Sequence, residues 1–145
     1  MNIPKTSLPR LVIIGGGFAG INLAKGLKNK DIQVVLLDKH NYHTFQPLLY
    51  QVSTGGLEPD SIAFPLRKII KSFPNFYFRL TEVLSVDTEE NIINSTIGKL
   101  KYDYLVIATG SKTNYFGNTF IERYSMAMKN VPQSLNLRSL IIENF

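Results

Sequence analysis

The 145-residue sequence contains no cysteine. That excludes disulfides, thiolate metal ligands and cysteine-based redox chemistry from these residues. Tryptophan is absent too, and histidine occurs only as His40 and His43, too few ligands to suggest a metal site. No apolar run approaches the roughly 20 residues that a membrane-spanning helix needs. The first nine residues are polar and proline-punctuated, without the apolar centre of a secretory leader. These absences favour the cytoplasm and leave peripheral membrane attachment open. Acidic residues are scarce, 11 against 16 Lys and Arg, for a net charge of +5. The basic residues are spread along the chain with no run resembling a nucleic-acid arm, so no nucleic-acid partner is expected. They read either as a solvated basic surface or as a face for anionic lipid. With no redox-active thiol, any electrons the protein handles must sit on a bound cofactor. The length suits one domain with a sizeable core.

What is present is concentrated in residues 10–38. Leu11 to Ile14 is a continuous apolar run, as in a parallel strand covered on both faces. Gly15-Gly16-Gly17-Phe18-Ala19-Gly20 follows, then a helical pattern from about Phe18 to Asn29, then a second apolar run from Ile32 to Leu37 closed by Asp38. Gly15, Gly17 and Gly20 occupy the three glycine places of a dinucleotide fingerprint. The first makes a tight turn, the second admits a pyrophosphate to the backbone, and the third lets helix and strand pack closely. The N-terminus of the helix would face the phosphates with its N–H groups and the positive end of its dipole. Asp38 lies 18 residues beyond Gly20, in place to accept hydrogen bonds from the ribose hydroxyls of an adenosine. The glycine pattern alone is weak; strand, helix and terminal acid together point to an adenine dinucleotide.

The expected helix buries Ile21, Leu23, Ala24 and Leu27, and its internal Gly26 costs about 1 kcal/mol unless close packing requires it. From Lys39 to Asp60 the pattern is irregular yet rich in Phe, Tyr and Leu, and such a stretch is usually functional. Ser61 to Phe73 reads as a short helix with Ile62, Leu66, Ile69 and Ile70 on one face. Strands are expected at Phe76–Leu80 and Glu82–Val86, with a hairpin from Asn91 to Tyr102 through Gly98. Tyr104 to Ala108 forms a last apolar run, closed by Thr109-Gly110. A loop then runs to about Lys129. Asn130, Pro132 and Gln133 open a final helix that carries Leu140, Ile141 and Phe145. A meander before the last parallel strand suits FAD binding better than NAD binding, where alternating helices and strands usually continue.

Ala108-Thr109-Gly110 ends a buried strand in small residues, so backbone can pass close to a ligand at the carboxyl edge of a sheet. Phe45-Gln46-Pro47-Leu48-Leu49-Tyr50-Gln51-Val52 reads from physics alone as an apolar loop over a core. Asp103 reads as a polar strand start or a general base, and the two histidines as hydrogen-bonding partners of loop backbone. Together the three motifs resemble the type II, non-proton-pumping NADH dehydrogenases, which are NADH:quinone oxidoreductases. The resemblance runs from about Leu11 to Phe145, and Phe-Gln-Pro-Leu-Leu-Tyr-Gln-Val is its most specific part.

The resemblance implies an α/β, Rossmann-like, FAD-binding three-layer domain with a parallel sheet and a β-meander, incomplete here. It implies an FAD pyrophosphate on Gly15, Gly16, Gly17, Phe18, Ala19 and Gly20, and the adenosine ribose on Asp38 with Lys39 beside it. Adenine would lie near Glu82 and Val83, the isoalloxazine near Gln46 and Pro47, and Ala108, Thr109 and Gly110 would bracket the flavin side. NADH would reduce the flavin and a membrane quinone would reoxidise it. Residues 1–129 would form the N-terminal part of the FAD domain and 130–145 a linker helix toward an NADH domain outside this chain. Membrane contact, on the cytoplasmic side of the plasma membrane, would come from a later part, and a homodimer is an open possibility. The alternatives are an FAD-dependent pyridine-nucleotide oxidoreductase with another acceptor and a non-catalytic nucleotide-binding module.

Overall fold

The computed structural model describes residues 1–145. Its chain divides into two compact units: Met1–His43 with Pro65–Gly110, and Thr44–Phe64 with Ser111–Phe145.

The first unit is built on a four-stranded parallel sheet of β1 (Arg10–Ile14), β2 (Gln33–Asp38), β5 (Phe76–Leu80) and β9 (Tyr104–Ile107), in the order β5-β2-β1-β9. The register pairs Ile14 with both Leu37 and Ile107, and Asp38 with Leu80. The two-residue period of a strand sends alternate side chains to opposite faces. Leu11, Ile13, Val34, Leu36 and Phe78 face Ile21 and Ala24 of α1 (Phe18–Gly26) and Leu66 and Ile70 of α3 (Leu66–Ile70). Val12, Ile14, Val35 and Leu37 face Ile93, Leu100 and Tyr102. Those last residues come from an antiparallel meander of β6 (Val83–Asp87), β7 (Ile92–Ser95) and β8 (Gly98–Lys101) and its exit. Both faces of the central strands are therefore dry, as their unbroken apolar runs predict. Ile13, Val35, Leu36 and Leu37 are fully buried, each contributing about 1.5–3 kcal/mol relative to exposure. Helix layer, sheet and meander make the three layers that the family resemblance implies.

The second unit contains α2 (Leu49–Ser53), α4 (Thr119–Tyr124) and α5 (Val131–Glu143), with short 3-10 turns at Gln46–Leu48 and Pro59–Ser61. Leu49, Val52, Val131 and Ser134 are its buried helical residues besides Ser53. The Asn130 side chain accepts from the Gln133 N–H at 3.0 Å, and Gln133 Oε1 accepts from the Lys129 N–H at 2.8 Å. This is the N-terminus that Asn130, Pro132 and Gln133 predict. A separate two-stranded ribbon is formed by β3 (Tyr42–Thr44) and β4 (Ala63–Pro65).

Several expected elements differ. The single helix over Ser61–Phe73 is instead a 3-10 turn, the strand β4 and the short helix α3. Pro65 is the reason: it disfavours helical backbone at Phe64 and removes an N–H, and it ends β4 as the N-cap of α3. The irregular stretch 39–60 holds α2, and the expected loop to Lys129 holds α4, capped by Asn118 Oδ1 accepting from the Ile121 N–H at 3.0 Å. Helix α1 stops at Gly26 rather than Asn29, Leu23 and Leu27 are half-buried, and α5 ends at Glu143 with Asn144 as its C-cap, so Phe145 lies outside it.

Candidate functional site

The chain runs from β1 outward to β2 and β5 on one side and later places β9 on the other. The carboxyl end of β1 is thus the point where the strand order reverses, the usual ligand crevice of a doubly wound sheet. The glycine turn sits there. Gly15 has φ +111, and a Cβ on it would fall on the Ala108 carbonyl. Its N–H continues the ladder to the Leu37 carbonyl at 2.8 Å, and the Ala108 N–H reaches the Ile14 carbonyl at 2.8 Å. A Cβ on Gly20 would fall on the Gly15 carbonyl. A Cβ on Gly16 would come to 2.7 Å from Leu66 Cδ1. Around a Cβ on Gly17, nothing lies within 4 Å.

Three of the four glycines are thus enclosed by protein, and the fourth borders open space. Gly17 is also the N-cap of α1, with no side-chain cap and no acid in the first turn. An uncapped helix N-terminus beside an open glycine is a ready anion site.

Asp38, at the end of β2, serves this turn directly. Its Oδ2 accepts from the Gly16 N–H at 2.5 Å and its Oδ1 from the His40 N–H at 2.7 Å. Each carboxylate oxygen has two lone pairs, so both keep an acceptor position for a further donor. The Gly16 N–H is already engaged, leaving phosphate recognition to the positions that follow it. Thr81 donates its N–H to the Asp38 carbonyl at 2.8 Å, fixing the end of β5 beside the acid.

Gly15 to Gly20, Asp38 and Ala108 converge in the first unit. Thr109 and Gly110 follow β9 there as exposed residues, Gly110 with φ +72. Lys39 is exposed, and Val83 is half-buried against the meander-side core. Gln46 and Pro47 belong to the second unit, where Gln46 Nε2 donates to the Lys129 carbonyl at 3.2 Å. His43 reaches the Gly16 carbonyl through Nδ1 at 3.1 Å, the loop-backbone role its position suggests. Leu66 closes over Gly16, a contact that no local pattern signals. Asp103 lies at the amino end of β9, accepting from the Arg10 N–H at 2.6 Å; it is a polar strand start.

A glycine turn at the switch point of a parallel sheet, joined to an acid on the next strand, defines a Rossmann-like α/β domain. More particularly, the chain belongs to the pyridine nucleotide-disulphide oxidoreductase family, whose pattern matches residues 9–138. It is 39% identical over 140 residues to the type II NADH:quinone oxidoreductase NdhA of Mycobacterium tuberculosis, covering 94% of this chain and 30% of that protein. It is 30% identical to an external alternative NAD(P)H-ubiquinone oxidoreductase B1 of Solanum tuberosum, covering 99% of this chain and 27% of that protein. Among solved structures, NDH2 of Plasmodium falciparum in complex with RYL-552 superposes with a TM-score of 0.85 at 29% identity, covering 94% of this chain and 29% of the other. The sulfide:quinone oxidoreductase of Aquifex aeolicus gives a TM-score of 0.85 at 31% identity, with 93% and 32% covered. The chain spans about three-tenths of the length of these relatives.

Proposed function

We propose that this chain is the FAD-binding part of an NADH:quinone oxidoreductase. The observation that carries the reading is the open face at Gly17, on an uncapped helix N-terminus, with Asp38 fixed to the adjoining residue. The cradle fits a pyrophosphate: a Cβ has room only at the glycine the phosphates would approach. In this reading the glycine turn and the start of α1, Gly15 through Gly20, form the pyrophosphate site with Gly17 facing the phosphates, and Asp38 accepts from the adenosine ribose. Lys39 flanks the ribose, Val83 the adenine, and Ala108, Thr109 and Gly110 the flavin half. A place near the flavin for Gln46 and Pro47 rests on the family resemblance alone. FAD, when bound, supplies a two-electron acceptor for a hydride. Residues 1–129 are the FAD-binding portion, and 130–145 leads toward a nicotinamide-binding domain. NADH and a quinone would meet the whole protein, with membrane contact peripheral and on the cytoplasmic face. No helix in this chain is long and apolar enough to cross a membrane.

The equal structural likeness to a sulfide:quinone oxidoreductase supports a second reading, an FAD enzyme of the same family with another donor or acceptor. A non-catalytic nucleotide-binding module is the third. Visible flavin absorbance of the purified protein separates the first two from the third. NADH oxidation by the full-length product with quinone against other acceptors separates the first from the second.

These 145 residues alone are expected to oxidise no NADH. Hydride transfer needs the nicotinamide about 3–3.5 Å from the flavin, and FAD takes the one glycine fingerprint present. Steady-state assay with a soluble quinone analogue checks this. Turnover of about 1–10³ per second would place a nicotinamide site within this chain and overturn the assignment.

A further inference from the structure

We propose that His43 is a positioning residue that holds the Gly15-Gly16-Gly17 turn in its ligand-ready shape. The inference rests on the reading of that turn as the FAD pyrophosphate site. Three consecutive glycines have more backbone freedom to lose than any other tripeptide, so an unconstrained turn would bind weakly. Gly15 is locked by the ladder bond to Leu37 and by the Ala108 backbone. Gly16 is held at both of its polar groups by side chains. Asp38 Oδ2 takes its N–H at 2.5 Å, and His43 Nδ1 meets its carbonyl at 3.1 Å. A carbonyl only accepts, so Nδ1 carries the proton. That bond therefore exists in the Nδ1–H neutral tautomer and in the imidazolium alike.

His43 also touches the far side of the open residue. Its ring meets the Phe18 ring edge-on at 4.9 Å between centroids, and Phe18 is the first residue of α1. The contacts of His43 thus bracket Gly17, which has no protein atom near the Cβ position to hold it. Asp38 and His43 flank a short segment after β2, so one piece of chain delivers both clamps. Leu66 fills the remaining space over Gly16.

The test compares FAD affinity of the parent chain, His43→Ala and His43→Asn by fluorescence titration, with the tautomer of His43 read by ¹⁵N NMR in the parent. Asparagine can place an N–H near the Nδ1 position but lacks the ring. The expected results are an Nδ1–H tautomer, about a tenfold loss of affinity in His43→Ala, and recovery to within about threefold in His43→Asn, as for one hydrogen bond. An Nε2–H tautomer with bare Nδ1 would overturn the proposal without any variant being folded. Unchanged affinity in His43→Ala would overturn it as well. Equal losses in both variants would assign the effect to packing on Phe18 and reject the hydrogen-bond clamp. A parent that takes up no FAD overturns the pyrophosphate reading itself, and the inference falls with it.

Discussion

Helix α1 carries glycines near both ends, and their surroundings are opposite. At the N-terminal end, a side chain on Gly20 would strike the Gly15 carbonyl. At the C-terminal end, a side chain on Gly26 would meet nothing within 4 Å. The first glycine is demanded by the approach of helix to turn. The second is demanded by no contact, and Gly26 has ordinary negative φ. Gly17 is a third case: it too borders open space, but at the N-cap, where a ligand can use that space. Residue type alone therefore says little; what the missing Cβ would have met separates a structural glycine, a binding glycine and an incidental one.

Substitutions at these positions probe that difference. The largest effect is expected for Gly20→Ala. The obstacle is backbone, which cannot rotate away, so the loss should reach about 3 kcal/mol or more, measured by urea denaturation. A stable Gly20→Ala protein would mean that helix and turn are not so closely joined. Next comes Asp38→Ala, which leaves the Gly16 and His40 N–H groups without their acceptor. A loss of about 1–3 kcal/mol in stability and about tenfold or more in FAD affinity should follow. Unchanged affinity by flavin titration would remove the ribose role and leave Asp38 as a pin for the turn. The smallest effect, and of opposite sign, belongs to Gly26→Ala. Alanine is favoured over glycine in a helix by about 1 kcal/mol in the interior, and less at the last residue. A small rise in the urea midpoint is expected; a fall would show that Gly26 serves a contact after all.

The parts legible in the sequence are those in which the backbone itself imposes residue type. The Gly15–Gly20 turn, Asp38 closing a buried strand, the hairpin through Gly98 and the capped start of α5 all follow from local rules. The two-faced core was legible because β1 and β2 are apolar without alternation. Segment 61–73 misled because its apolar spacing suits a helix, while Pro65 alone divides it. Helices α2 and α4, at five and six residues, are too short for periodicity to register. In the site, the glycines and Asp38 could be read, but the partners of Gly16 could not be assigned. His43 follows it by 27 residues, and Leu66 comes from yet another element. The second unit is the least legible part. It leaves Phe116, Phe120, Tyr124 and Ile142 exposed, so its apolar pattern does not mark a core.

The measurement that bears most directly on the site is FAD binding by Gly17→Val beside the parent, with urea stability recorded on the same samples. Valine has room in the protein, so the fold should survive with at most a modest cost for a poorer N-cap, about 1 kcal/mol. It has no room beside a pyrophosphate, so FAD affinity should fall by about a hundredfold or more. A folded Gly17→Val protein that binds FAD as tightly as the parent would contradict the assignment of this turn to the pyrophosphate.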